Sequence, residues 1–267
     1  MIRFFINSNI WVAFCVLGLA ASSEIILQTS NPQISQFLFF ATVFTYNFQR
    51  IVSTRKGNNH ARKNWLRKNI SQVYLLMLFS FLMSGYFFLN FQLITQIAIF
   101  FTAILSLLYP FGIRKIPFAK IFVISFVWCV GTMFLLVIEN NILISQNILW
   151  HLTARMLFVF AITIPFDIRD LKHDCGHVAT IPGFFGVDKA KDIAIINLFI
   201  CVIIGVFQLV QNEINESAFL ALILLYSLAC VIIKRSNENK SEMYFSFWVE
   251  SLSIFSYLFL IILLLIF

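Results

Sequence analysis

Asp167, Asp170 and Asp174 stand three and then four residues apart in the segment Ile164-Pro165-Phe166-Asp167-Ile168-Arg169-Asp170-Leu171-Lys172-His173-Asp174. On a helix that spacing aims three carboxylates from one face across two turns. Like charges held so close repel one another, and a bound cation removes the repulsion. Hard oxygen donors without a thiolate beside them suit Mg²⁺, which keeps several waters and shares its remaining positions with substrate phosphates. The competing reading pairs these acids with Arg169, Lys172 and neighbouring basic loops on a solvated surface.

Other constellations carry less chemistry. His173 and His177 are spaced four apart with Cys175 between them, the spacing of two imidazole ligands on one helical face, but Gly176 and the nearby Pro182 break such a helix. His151 and Arg155 form a second pair at this spacing inside an apolar run, where hydrogen bonding between helices is the expectation. Glu24 reaches an interface, and Gln72, Gln92 and Gln96 serve packing. Phosphate-binding glycine loops, nucleophile elbows and zincin motifs do not occur in the sequence. Five cysteines, Cys15, Cys129, Cys175, Cys201 and Cys230, are scattered and form neither a disulfide framework nor a zinc site.

The elements that must position these residues lie in lipid. The 267 residues are 60% hydrophobic and 12% charged, with 33 Phe, and the mean hydropathy is +0.90. A soluble domain is roughly 45–50% apolar and about 25% charged. At roughly 20 residues per crossing the chain has room for about nine spans and almost no extramembrane domain. Apolar stretches predict helices near 9–27, 34–51, 70–89, 91–109, 117–138, 142–166, 190–210, 217–233 and 246–267. A single polytopic domain over 1–267 is expected, its first helix retained rather than cleaved.

Lys and Arg then orient it. Eighteen of the 19 basic residues fall on one side, before the first span or within and at the edges of alternate connections, Arg155 being the exception, and the opposite loops carry Glu139, Glu213 and Glu216 without Lys or Arg. Cytoplasmic loops retain such residues, so nine spans put the N-terminus inside and the C-terminus outside. The net charge of +7 follows from this rule and from attraction to anionic headgroups. Its dispersal among loops excludes a nucleic-acid module.

In this context the sequence resembles the UbiA-type intramembrane aromatic prenyltransferases, over nearly the whole chain. Asp167-x-x-Asp170-x-x-x-Asp174 is similar to the second of that family's two Asp-rich motifs, and Gly176, Thr180-Ile181-Pro182 and Gly186 resemble the segment that follows it. Tyr109-Pro110-Phe111-Gly112-Ile113-Arg114-Lys115 resembles the family's tyrosine and basic pair. The first motif departs: after Asn47, the positions four and eight residues on hold Ile51 and Arg55 instead of Asp, with Arg50 and Lys56 nearby.

The resemblance implies an all-α membrane protein, a nine-helix UbiA-like bundle that transfers an isoprenyl group from a prenyl diphosphate to an aromatic or lipid-like acceptor. It implies Mg²⁺ on Asp167, Asp170 and Asp174, and diphosphate held by Arg50, Arg114 and Lys115 with help from Asn47. Tyr109 would stand near the reacting carbon, its ring face toward developing positive charge. Ionisation of the carbon–oxygen bond leaves charge on diphosphate, which metal and cations stabilise, and an apolar chamber keeps water from the carbocation. Loss of the first-motif carboxylates leaves a non-catalytic lipid-binding or scaffold protein on the same fold as the alternative. A transporter, suggested by many helices and Arg155, is the third. The expected location is a bacterial-type inner membrane with the active face cytoplasmic.

Overall fold

The computed structural model describes residues 2–29, 31–55, 63–111, 116–174 and 178–267, with the side chains at 2, 110 and 172–174 outside the description. Within these residues every regular element is helical. A short α1 (Ile2–Asn7) turns into α2 (Ile10–Ile26), followed by α3 (Gln33–Arg55), α4 (Lys63–Lys68), α5 (Ile70–Leu89) and α6 (Leu93–Leu108). After a 3₁₀ turn at Tyr109–Phe111, α7 (Ala119–Cys129), a π-helical turn (Val130–Phe134) and α8 (Leu135–Glu139) run on as one rod. Then come α9 (Gln146–Asp174), α10 (Ile181–Phe185), α11 (Val187–Val210), α12 (Glu216–Arg235), a second π-helical turn (Tyr244–Val249) and α13 (Glu250–Ile266).

Six of the described rods are long and apolar enough to cross a membrane: Ile70–Leu89, Ala119–Glu139, Gln146–Leu171, Val187–Val210, Glu216–Arg235 and Tyr244–Ile266. The chain is an integral membrane protein. α2 and α6 are apolar but shorter, and α3 mixes Asn47, Gln49 and Arg50 into its length. Every apolar segment expected from the sequence is a helix. The largest difference is at α9, which continues through Pro165 to Asp174 instead of ending near 166. The acidic stripe therefore stands on a helix, as its spacing requires.

Lipid supplies no hydrophobic force between apolar helices, so close packing and polar ties must hold the bundle. The main core joins α9, α11, α12 and α13 through Ile164, Ile168, Leu198, Leu225, Ile233, Phe245 and Leu252. A second core joins α2, α3 and α8 through Val16, Ile34, Leu38 and Leu136. α5 lies at the periphery and exposes Leu75, Leu78, Phe81 and Leu82, the surface a lipid-facing helix presents. Small residues let α2 approach α13: a Cβ on Gly18 would stand 2.9 Å from Ile254 Cγ1 and 3.0 Å from Ile254 Cα. Gly18→Val should therefore destabilise the protein by about 1–3 kcal/mol, read as a lower Tm in detergent.

The two ends of the bundle differ. At the end without Lys or Arg, Gln92 Nε2 donates to the Glu139 carbonyl at 2.9 Å and Asn147 Nδ2 to Glu213 Oε2 at 2.9 Å. The opposite end gathers the basic connections and the residues described next.

Candidate active site

Phe118, with φ 59°, precedes α7, and its N–H donates to the Ala179 carbonyl at 2.9 Å. This contact ties the start of α7 to the segment after α9 and turns Lys120 toward the acidic stripe. Lys120 Nζ stands 2.7 Å from Asp167 Oδ1 and 3.4 Å from Asp170 Oδ2. The pair is deeply enclosed, Lys120 being 6% and Asp167 1% exposed. Arg169 meets Asp170 with both ends of its fork, Nε to Oδ1 at 2.7 Å and Nη2 to Oδ2 at 3.2 Å. Its guanidinium also lies over the rings of Phe166 and Phe245, 5.2 and 5.7 Å from their centroids.

Beside this cluster is a cavity of about 230 Å³. Arg50, Lys120, Arg169, Asp170 and Glu250 supply its charged wall, and Trp11, Tyr46, Trp128, Val159, Ile162 and Phe166 its apolar and aromatic wall. Trp11 stacks on Phe247 with centroids 4.8 Å apart, and Trp128 Nε1 donates to the Tyr46 hydroxyl at 3.3 Å. The π-helical turn before α13 brings Ser246 to the cavity one turn ahead of Glu250. Such turns add a residue to the helix and re-aim side chains, commonly at functional sites. The combination of a charged end and an apolar wall suits an amphiphile with an anionic head.

The sequence-derived residues divide into three groups. Asp167, Asp170 and Arg50 converge at the cavity, Asp167 behind Lys120 and the other two on its wall. Asn47 is 1% exposed and stands off the cavity wall, with its amide committed elsewhere. Its Oδ1 accepts from Asn9 Nδ2 at 2.9 Å, and its Nδ2 donates to the Ser8 and Val43 carbonyls, both at 2.8 Å. These bonds fix the left-handed Asn9 (φ 60°) that starts α2, and Arg50 Nη1 adds a bond to the Asn7 carbonyl at 2.9 Å. Asn47→Ala should lower stability by about 1–3 kcal/mol, checked by thermal unfolding with donor binding measured on the folded fraction.

Tyr109 is half-buried in its 3₁₀ turn and is not among the residues that line the cavity. Arg114 and Lys115 lie outside the described residues, as do Cys175, Gly176 and His177. Asp174 keeps its place on the α9 backbone, but its side chain and that of His173 are not described. Thr180 acts locally, capping α10 by accepting from the Gly183 N–H at 3.3 Å, while Ile181 enters the core.

Sequence reasoning missed Lys120 and Glu250. Both fall inside expected spans, at 117–138 and 246–267, and an ionisable residue within a span is itself a functional signal. Lys120 stands at the edge of a basic connection, and that position hides the signal.

Counted together, Arg50, Lys120 and Arg169 balance Asp167, Asp170 and Glu250. A ligand with a charged head would exchange ion pairs on entering such a site. Among the described residues no group of three His, Cys, Asp or Glu is gathered for a metal. One Mg²⁺ needs fewer, since it binds through one or two carboxylates plus substrate phosphates. Asp167 and Asp170 fit that role once their protein cations turn to phosphate. Ile51 and Arg55, four and eight residues after Asn47, offer no carboxylate for a second ion.

This helical bundle, with its charged cavity at one end, is the fold of the UbiA homologs. An apo UbiA homolog from Aeropyrum pernix K1 superposes with a TM-score of 0.70 at 11% identity, covering 95% of this chain and 97% of that one. A UbiA homolog from Archaeoglobus fulgidus bound to GPP and Mg²⁺ gives 0.66 at 13% identity, over 98% and 99% of the two chains. A structure of digeranylgeranylglyceryl phosphate synthase gives 0.60 at 15% identity, over 97% and 96%. Comparison with protein-family models and with curated proteins finds no match.

Proposed function

We propose that this protein is a membrane prenyltransferase that binds an isoprenyl diphosphate at the α3–α7–α9–α13 cavity and transfers the isoprenyl group to a hydrophobic acceptor. The observation that carries this reading is the junction of Asp167, Asp170, Lys120, Arg169 and Arg50 with an aromatic-walled cavity. The A. fulgidus homolog of the same fold is bound to GPP and Mg²⁺, which supports the same ligand class here.

In this reading the nine rods are nine crossings, the N-terminus and the cavity face the cytoplasm, and the membrane is of the bacterial inner type. Asp167 and Asp170, with Asp174 one turn further on, would hold Mg²⁺, which when bound would neutralise charge on the diphosphate leaving group. The ion-pair balance favours one metal. A bare diphosphate would bring its whole charge into a neutral site, whereas diphosphate with one Mg²⁺ brings far less. Arg50, Arg169 and Lys120 hold the phosphate oxygens, with Arg114 and Lys115 contributing from the neighbouring connection. Trp11, Tyr46 and Trp128 line the space beside the reacting carbon, exclude water and present ring faces to developing positive charge. Tyr109 serves the same end if donor binding draws its turn inward.

Binding of a non-hydrolysable isoprenyl diphosphate analogue, followed by the fluorescence of Trp11 and Trp128, tests this reading. Saturable quenching with one Mg²⁺ per protein is expected. Absence of binding at every chain length, with and without metal, leaves the non-catalytic scaffold reading in its place.

A further inference from the structure

Arg155 stands on α9 three turns before the acidic stripe, about 18 Å along the helix from Asp167. It is 8% exposed. Its Nη2 donates to Ser23 Oγ at 2.7 Å and to Ser22 Oγ at 3.2 Å, and among the described residues it has no carboxylate partner. Hydroxyls orient a guanidinium but do not neutralise it. Taking an ion out of water costs several kcal/mol unless a counter-charge is present, and charged groups inside a membrane bundle pair with one another or mark an ion site.

The guanidinium lines a second cavity of about 40 Å³, with His151, Gln208, Tyr226 and Ser256. It lies further from the charged end than the first, between the same two helices: Phe158 and Ser256 line it, while Val159 and Ser253 line the other. His151, one turn before Arg155 and 7% exposed, carries an imidazole N–H in either tautomer. The Ser22 and Ser256 hydroxyls already donate to the Leu19 and Ser253 carbonyls and Gln208 Nε2 to Asn147 Oδ1, so the donors facing the cavity are those of Arg155, His151 and Tyr226, with one formal positive charge and no negative one on the walls. The volume exceeds the roughly 10–15 Å³ that one enclosed water needs on the same measure, which leaves room for a small ion.

We propose that this cavity binds one small monovalent anion of halide size, which neutralises Arg155 and couples α9 to α2 and α12 at mid-bundle. The site is separate from the prenyl donor cavity and stands whether or not that reading does.

The test uses the full-length protein purified in detergent and exchanged into sodium gluconate. Chloride is then titrated in at constant sodium, with Tm and the ³⁵Cl NMR linewidth as readouts. A saturable rise in Tm of about 3–6 °C at ten times Kd is expected, with bromide equivalent and sulfate inert, and with ³⁵Cl broadening that bromide displaces. Arg155→Met should abolish both responses, and Arg155→Lys should keep them in weakened form. Equal Tm in chloride and gluconate with no ³⁵Cl broadening would overturn the proposal. So would a chloride response that persists in Arg155→Met, since that is a general salt effect. If Arg155→Met does not fold, the displaceable broadening in the unmodified protein and its loss in Ser23→Ala decide the matter.

Discussion

Asp167→Asn combined with Asp170→Asn should eliminate Mg²⁺-dependent donor binding, lowering affinity by more than about 100-fold, because loss of outer-sphere partners alone typically costs 10–100-fold. Asn keeps the shape of Asp and an accepting oxygen but removes the charge that a hard cation needs. The amides leave Lys120 and Arg169 with hydrogen-bond acceptors but Lys120 without a counter-charge, so a stability loss of about 3–5 kcal/mol is expected as well, and affinity is read on the folded fraction. Isothermal titration with an isoprenyl diphosphonate, with and without Mg²⁺, reads the effect. Asp188→Asn, on the exposed first turn of α11, is the control expected to bind as the unmodified protein does.

The second large effect concerns stability. Lys120 and Asp167 form an enclosed ion pair at 2.7 Å, and removing one member of such a pair strands the other away from water. Lys120→Met should therefore cost about 3–5 kcal/mol, while the double replacement Lys120→Met/Asp167→Leu should recover most of that loss. Thermal unfolding of the two single variants and the double variant checks this as a cycle. If the losses simply add, the pair is not coupled, and the place of Lys120 as the counter-ion of the stripe fails with it.

Helical segments were legible because twenty-residue apolar runs are demanded by bilayer thickness and need no tertiary information. The acidic stripe was legible because its three-four spacing has meaning only on a helix, and α9 does extend through it to Asp174. The end of α9 was not. Pro165 and the burst of charge suggest an earlier stop, but α7, α10 and the second π-helical turn pack against α9, and Lys120 of α7 pairs with Asp167 and Asp170. Lys120 shows the other limit. Its partners lie 47 and 50 positions away in sequence, and only the turn at Phe118 brings it to them. Asn47 illustrates how a motif position can acquire a packing role: its amide bonds Ser8 and Asn9, a contact that no spacing rule announces. The Arg155 pair was read correctly as internal, whereas its neighbouring serines and the cavity beside it emerge only once α2, α9 and α12 are packed together.

The most direct test of the account is equilibrium binding of isoprenyl diphosphonates of several chain lengths to the purified protein, measured with Mg²⁺ and again in EDTA. The account predicts saturable binding with Mg²⁺ at a stoichiometry of one metal and one diphosphonate per chain, and loss of binding in EDTA. Absence of binding under both conditions would contradict it, and binding that is indifferent to EDTA would contradict the metal role given to Asp167 and Asp170.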